Sequence, residues 1–216
     1  MTATTARAAA AAAALPQSIT LAVDLAITLA ITLAAAGPAA AVPVSVRVLG
    51  PQDAPLTDAV VAIEVASEPR TAPPGTRAEM GQRQRRFVPS VLAVQAGTAV
   101  AFPNYDTVRH HVYSFSPIKP FEIKLYAGTP AAPVVFDKPG TAVLGCNIHD
   151  TMAAFIHVVA TPHFAKTDTA GLASLDVPAG SHRLLVWHPE LGADAAPQAQ
   201  AIKLPGPPLT VRLALP

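Results

Sequence analysis

The chain has 216 residues, which is enough for one large or two small domains with buried cores. Hydrophobic residues make up 51% of it and charged residues 13%, and there are 23 prolines and 12 glycines, a composition that favours short strands and many turns over long charged helices. The formal net charge of +1 provides no global field that would attract nucleic acid or an anionic membrane, so we expect neither as a partner.

The N-terminal 41 residues have the layout of a secretory signal peptide. An uncharged run over residues 25–36 is followed by small residues, with alanines at both ends of an A-x-A cleavage site at residues 39–41. Cleavage there makes Val42 the first residue of an exported, periplasmic protein with no stable membrane span. Asp24 splits the apolar stretch, which does not fit a signal peptide well, so an uncleaved anchor is the alternative. The uninterrupted run is, however, shorter than the ~20 residues that a span requires.

Strand-like segments fill the rest of the chain. Alternating or continuous apolar runs bounded by glycine and proline recur at close spacing, and we see no long amphipathic helix. The sequence therefore predicts an all-β protein built as a sandwich. The predicted strands are residues 44–48, 59–65, 87–94, 98–102, 110–115, 121–126, 134–136, 141–146, 153–159, 172–177, 183–187 and 209–215, with a Pro- and Arg-bearing linker at residues 68–81.

The stretch GCNIHDTM contains the only cysteine of the chain. Cys146, His149 and Met152 all lie on the predicted loop between two strands, where their side chains can converge, as they could not on a flat strand. An unpaired thiol in an oxidising compartment needs a reason, and a small buried hydrophobe is the simple one. The other is metal ligation: one thiolate, two imidazoles and a weak axial thioether form the donor set of a blue-copper site. His110, 36 residues before the cysteine, is the candidate for the second imidazole.

The segment around His110 resembles the cupredoxins. Residues 102–104, Phe-Pro-Asn, precede His110 by the spacing at which an asparagine precedes the first copper histidine in that family, and Val112 follows as in its H-N-V motif. The Cys-x2-His-x2-Met loop resembles that of amicyanin, and PGTAVLGC resembles the hairpin before the copper cysteine of plastocyanins. The likeness covers about residues 87–160, and the layout is similar to the plastocyanin-like proteins of methylamine utilisation.

The resemblance implies a Greek-key β-sandwich holding one type 1 copper ion. Its ligands would be His110, Cys146, His149 and Met152, with Asn104 outside them, bracing the two ligand-bearing loops by hydrogen bonds. His111 stands where the family usually has asparagine, so either adjacent histidine is open as the ligand. Strand alternation favours His110, because His111 would then point away from the ion.

The segments on either side of this region resemble a different family. Residues 44–63 and the later T-D-x-x-G and V-P-A-G patterns are similar to the prealbumin-like, or carboxypeptidase-regulatory-like, domains. Neither half has enough strands to close a core alone. We therefore expect residues 42–72 and 161–216 to form one discontinuous sandwich, with a cupredoxin domain at residues 73–160 inserted in it or next to it.

The expected function is electron transfer rather than catalysis. A site whose coordination positions are all filled by the protein leaves no place for a substrate, and the fingerprints of nucleotide-binding and hydrolytic enzymes are missing from the sequence. The partner would be a redox protein, such as a cytochrome or an oxidoreductase. Copper storage or delivery, and a structural module with a non-redox metal site, are the alternatives.

The remaining candidates are weaker. We expect the other four histidines to be surface or hydrogen-bonded residues rather than ligands, and a second cysteine for a zinc site is missing. The run of residues 83–86, Arg-Gln-Arg-Arg, fits either a solvated surface or a docking point for an acidic redox partner. The four histidines are His157, His163, His182 and His188.

Overall fold

The computed structural model describes residues 1–2, 40–130 and 132–216. The greater part of the predicted signal peptide, including its apolar run, lies outside the described residues. Among those that are described, no helix has the length and apolar character needed to cross a membrane. From Ala40 to Pro216 the chain forms one unit.

Seventeen strands and two three-residue 3-10 helices make up the regular structure of the described residues, which confirms the all-β prediction. The helices are Pro51–Asp53 and Pro189–Leu191. The first nine strands are β1 Ala41–Leu49, β2 Val60–Glu64, β3 Arg77–Glu79, β4 Gly81–Arg83, β5 Arg86–Val88, β6 Val91–Gln95, β7 Thr98–Ala101, β8 His110–Ser114 and β9 Phe121–Tyr126. The others are β10 Val134–Phe136, β11 Gly140–Gly145, β12 Ala153–Val159, β13 Phe164–Lys166, β14 Leu172–Pro178, β15 Gly180–Trp187, β16 Gln198–Leu204 and β17 Leu209–Arg212.

The strands between β2 and β7 differ from the prediction. The predicted linker at residues 68–81 contains β3, which pairs with β7, and leads into β4. The predicted strand over residues 87–94 is two strands, β5 and β6, interrupted at Pro89, a residue that has no backbone N–H to donate to a ladder. The arginine-rich run forms a tight hairpin between β4 and β5.

One set of sheets packs around the middle of the chain. Its larger sheet has the strand order β6-β12-β11-β8-β9, and the smaller sheet has the order β10-β7-β3. A buried cluster of side chains from both sheets and from the β4–β5 hairpin fills the space between them. Its largest members are Met80, Phe87, Phe102, Phe136, Leu144, Met152 and Ile156.

A second set of sheets packs the two ends of the described unit together. Strand β1 lies between β14 and β17, and a four-stranded sheet has the order β13-β2-β15-β16. The residues of β1 alternate between the core and the solvent: Val44, Val46 and Val48 are buried, and the residues between them are exposed. A separate hydrophobic cluster draws on residues 44–65 and 173–213 and excludes the middle of the chain.

Strand β2 is buried on both faces because a third cluster lies behind it. Val61 and Ile63 point into the core of the terminal segments, while Val60 and Ala62 pack with Val91 and Val159 of the middle segment. This explains why β2 reads as a continuous apolar run rather than an alternating one.

Trp187, at the end of β15, is the centre of the third cluster. Its ring is fully buried, stacks on the His157 ring at 4.6 Å between centroids, and meets Phe155 edge-on at 5.7 Å. His157 is itself buried and hydrogen-bonded through Nδ1 to the Thr141 hydroxyl at 2.9 Å. His157 is thus a satisfied core histidine, as the sequence suggested.

The buried His157 predicts a loss of stability in mild acid. Burial lowers its pKa to about 4, whereas an unfolded chain holds histidine near about 6.5. Between these values the unfolded state binds a proton that the folded state does not, so the free energy of unfolding falls as the pH drops, by up to about 1.4 kcal/mol per pH unit. We expect His157→Gln to flatten this part of the curve, measured by urea unfolding at a series of pH values.

His182→Gln is the matched control, since it removes a histidine outside this cluster, and its curve should keep the wild-type slope. A His157→Gln curve as steep as the wild-type curve between pH 6.5 and pH 4 would contradict the assignment.

Candidate metal centre

Three of the predicted ligands lie together in the folded chain. One ligand atom each from His110, Cys146 and His149 falls within a group whose members are all within 4.8 Å of one another. An ion at about 2.0–2.3 Å from each donor allows donors to lie up to about 4.6 Å apart. The three side chains can therefore bind one ion with a shift of a few tenths of an ångström.

The pairing of β8 with β11 brings residues that are distant in sequence to one place. Gly145, the last residue of β11, pairs with Tyr113 of β8, so Cys146 leaves the sheet beside the strand that begins at His110. His149 follows on the loop that leads into β12. The rings of His110 and His149 meet edge to face, with centroids 5.1 Å apart.

The two adjacent histidines have different environments. His110 is fully buried and belongs to the donor group. His111 is also buried, but its Nε2 donates to Glu122 Oε1 at 2.8 Å and its ring lies against Tyr113. Both are buried because the register of β8 against β9 shifts between His110 and Val112.

Asp106 fixes the ring of His110. His110 Nε2 donates to Asp106 Oδ2 at 2.8 Å, which leaves Nδ1 as the nitrogen available to an ion. The carboxylate also accepts from the backbone N–H groups of Gln84 at 2.6 Å and Arg85 at 2.9 Å. Burial raises the pKa of Asp106, but the N–H groups of Arg85 and Gln84 and the His110 ring together hold it below its usual value.

The free ring nitrogens fit a metal ion. Nδ1 of His110 and Nδ1 of His149 are buried, and neither has a hydrogen-bond partner among the described residues. Buried polar atoms are almost always paired, and leaving one unpaired costs about 1–3 kcal/mol. His111, His163 and His182 each have such a nitrogen as well, so the orphaned atom alone is not diagnostic. What distinguishes His110 and His149 is that both converge on a buried thiol.

The loop from Cys146 to Met152 folds back on itself. The N–H of Met152 donates to the carbonyl of His149 at 2.9 Å, and Met152 and Cys146 are both almost fully buried in the same hydrophobic cluster. Both residues also line an open cavity of about 720 Å³. Ile148, between the two ends of the loop, is 48% exposed.

Asn104 braces the segment before His110. Its amide donates to the carbonyls of Val108 at 2.8 Å and Tyr126 at 3.1 Å, and its side-chain oxygen accepts from the N–H of Asp106 at 2.9 Å. The side-chain hydrogen bonds that the structure describes for Asn104 all lie on the His110 side of the site. They hold in place the turn that carries Asp106.

Tyr126 lies behind the site, opposite His110 in the β8–β9 pair. Its hydroxyl donates to the carbonyl of Phe102 at 2.6 Å and accepts from the Gln82 amide. Burial raises the pKa of Tyr126 to about 12, while the hydrogen bond from Gln82 opposes the shift. The phenol therefore stays protonated and adds no charge next to His110.

Sequence reasoning missed three residues that shape this site. Asp106 could have been noticed as a carboxylate four residues before His110. Gly145 and Tyr113 gave no signal, because their contact depends on the register between two strands. A Cβ added at Gly145 would lie 2.5 Å from Tyr113 Cζ, so only glycine lets the tyrosine ring cover the backbone next to Cys146.

The other predicted non-ligands stay outside the donor group. His163 Nδ1 is hydrogen-bonded to the carbonyl of Asp176, His182 Nε2 to that of Pro178, and His188 Nε2 to that of Thr57.

Comparison with known proteins gave matches among solved structures only. No family model matches the chain, and no curated protein matches it. Amicyanin from Paracoccus versutus is similar at 18% identity, over 45% of this chain and 97% of that chain, with a TM-score of 0.33. A purple cupredoxin from Nitrosopumilus maritimus is similar at 19% identity, over 38% and 98%, with a TM-score of 0.33. A copper-containing nitrite reductase from Thermus scotoductus is similar at 23% identity, over 51% and 28%, with a TM-score of 0.35.

The contact between Gly145 and Tyr113 predicts strong coupling between the two positions. Gly145→Ala should destabilise the metal-free protein by about 1–3 kcal/mol, because the new methyl group overlaps the tyrosine ring. Tyr113→Ala removes the obstacle. In the double variant the loss should therefore be smaller than the sum of the two single losses, by roughly 1 kcal/mol or more, measured by urea unfolding. Strict additivity would show that the ring does not cover residue 145.

Proposed function

We propose that this chain is an exported mononuclear copper protein that carries single electrons between redox partner proteins. The observation that supports the proposal is the convergence of one buried thiol and two imidazoles, from His110, Cys146 and His149, within 4.8 Å. A thiolate with two imidazoles and a weak axial thioether is the donor set typical of blue copper. The chain's single cysteine cannot form the multi-thiolate sites typical of structural zinc or iron–sulfur clusters.

In this proposal four residues hold one type 1 copper ion. Cys146 provides the strong thiolate bond, His110 and His149 the two nitrogens, and Met152 the weak axial sulfur. The burial of Met152 in the same cluster as Cys146 supports its place in the set. Copper, when bound, supplies a one-electron redox couple.

The protein residues around the site favour fast electron exchange by limiting movement. The Asp106 carboxylate fixes the His110 ring, and two backbone N–H groups fix the carboxylate in turn. His110 is fully buried, so water is kept from its ring. A site held by strands and by an anchored carboxylate changes little when its charge changes by one.

Export and domain organisation are part of the same proposal. We take residues 1–41 as a signal peptide and the periplasm as the site of function. We also take residues 42–72 and 161–216 as a prealbumin-like sandwich, with the copper domain at residues 73–160 inserted in it. The separate hydrophobic cluster drawn from residues 44–65 and 173–213 supports this division. The redox partner would be a cytochrome or an oxidoreductase.

Copper storage or delivery is the second candidate. The cavity of about 720 Å³ that reaches Cys146 and Met152 favours it, because an ion could be exchanged through such an opening. The two functions differ in metal retention: an electron carrier keeps its copper against a competing chelator for hours, and a delivery protein releases it within minutes.

The visible spectrum of the copper-loaded protein should depend on Cys146 and His110. The full chain loaded with Cu(II) should show an intense visible thiolate-to-copper absorption that is lost in Cys146→Ser and in His110→Ala. His111→Ala should keep the band, because the His111 ring is bound to Glu122 rather than directed to the donor group. A pale spectrum, or loss of the band in His111→Ala with retention in His110→Ala, would contradict the assignment.

The reduction potential of the copper-loaded protein should depend on Met152. Met152→Leu should retain the band and raise the reduction potential, because the axial thioether stabilises Cu(II) more than it stabilises Cu(I). A tenfold loss of affinity for Cu(II) alone corresponds to a shift of about 59 mV, measured by potentiometric titration. Leu92→Met, a change in a half-buried residue of β6, is the control for sulfur elsewhere in the fold. An unchanged potential in Met152→Leu would remove Met152 from the ligand set.

A further inference from the structure

The β4–β5 hairpin concentrates positive charge at one place on the surface. Arg83, Arg85 and Arg86 are all exposed, and Arg83 lies directly opposite Arg86 in the pair of strands. Like charges placed opposite each other destabilise a hairpin. Among the described residues, five other lysine or arginine side chains form ion pairs with carboxylates, and none of these three arginines does.

The turn of this hairpin is built against local preference. Gln84 and Arg85 have φ values of 51° and 58°, in the left-handed region that glycine and asparagine normally occupy. Their backbone N–H groups are the ones that hold Asp106, and Asp106 holds His110. The strained turn therefore sets the arginines in a fixed position, two hydrogen bonds from a proposed copper ligand.

The surface beside the arginines has the character of a binding site. A groove of about 500 Å³ lies between the hairpin and the Asp106 turn. The guanidinium of Arg83 stacks over the Tyr105 ring at 3.7 Å, and the Tyr105 hydroxyl donates to Glu79. Tyr105 and Val88 are each 47% exposed. Arginine and tyrosine around a small apolar patch are typical of protein interfaces.

We propose that the hairpin Gly81–Val88 is the docking surface for a carboxylate-rich patch on the redox partner. This inference rests on the proposed function, since the partner exchanges one electron with the copper site: one protein loses an electron, the other gains it, and no proton is transferred. A protein fits better than a membrane or a nucleic acid. Three arginines of a chain with a net charge of only +1 cluster on this one hairpin, and they border a groove with an aromatic wall.

The first test measures binding without any role for copper. The probe is poly(L-glutamate), and the full chain is titrated with it at about 0.1 M ionic strength, where a Debye length of about 10 Å limits the attraction to charges near the contact. The triple variant Arg83→Glu, Arg85→Glu, Arg86→Glu should bind at least tenfold more weakly than the wild type. The control triple variant Arg47→Glu, Lys138→Glu, Lys203→Glu changes three exposed cations elsewhere and the net charge equally, and should lose less than twofold. Equal losses in the two variants would overturn the proposal.

The single variant Arg85→Glu guards against loss of folding in the triple variant. The side chain at this position lies at the exposed tip of the hairpin, while its backbone N–H still reaches Asp106. It should weaken poly(L-glutamate) binding about threefold. Wild-type affinity in this variant counts against the proposal. Tighter binding of the wild type to vesicles with anionic headgroups or to duplex DNA than to poly(L-glutamate) also counts against a protein partner.

The second test measures electron transfer in the copper-loaded protein. Hexacyanoferrate(III), an anion, should oxidise the reduced protein about tenfold more slowly in the hairpin variant than in the control variant. Tris(phenanthroline)cobalt(III), a cation, should react faster with the hairpin variant. The visible copper band reports the proposed function separately. A normal copper band together with equal oxidation rates in the two variants would refute the docking surface alone. Absence of the band from the copper-loaded wild type would refute the copper site.

Discussion

The site depends on the cost of burying two ring nitrogens that have no hydrogen-bond partner among the described residues. Nδ1 of His110, Nδ1 of His149 and the thiol of Cys146 meet where the ring nitrogens make no hydrogen bond among the described residues. The pairing of β8 with β11 forces this encounter, because it places residue 113 beside residue 145. A bound ion would give both nitrogens a partner and would hold Cys146 as a thiolate, so the fold and the proposed metal support each other.

The surrounding structure limits how far these donors can move. Asp106 links the first histidine to the turn of the β4–β5 hairpin, and Asn104 fixes the turn in which Asp106 lies. Behind β12, the cluster around Trp187 packs the middle segment against the terminal segments. The scaffold therefore holds the site from the surface hairpin on one side and from a shared core on the other.

Features that depend on neighbouring residues could be predicted from the sequence, and contacts between residues far apart in the chain could not. The all-β architecture follows from short apolar runs between glycines and prolines, and the spacing of Cys146, His149 and Met152 identifies one loop. Strands β3 and β4 were missed because each has three residues and depends on partners elsewhere, so periodicity does not detect them. The contact of Tyr113 with Gly145 is set by register, and burial of both His110 and His111 by a bulge, neither of which a single sequence records.

X-ray absorption spectroscopy of the copper-loaded protein identifies the atoms bound to the metal. We expect one sulfur and two nitrogen neighbours within about 2.3 Å of a single copper ion. The sulfur signal should disappear in Cys146→Ser, and one nitrogen should be lost in His110→Ala. A copper environment of nitrogen and oxygen only, unchanged by either substitution, would contradict the site described here.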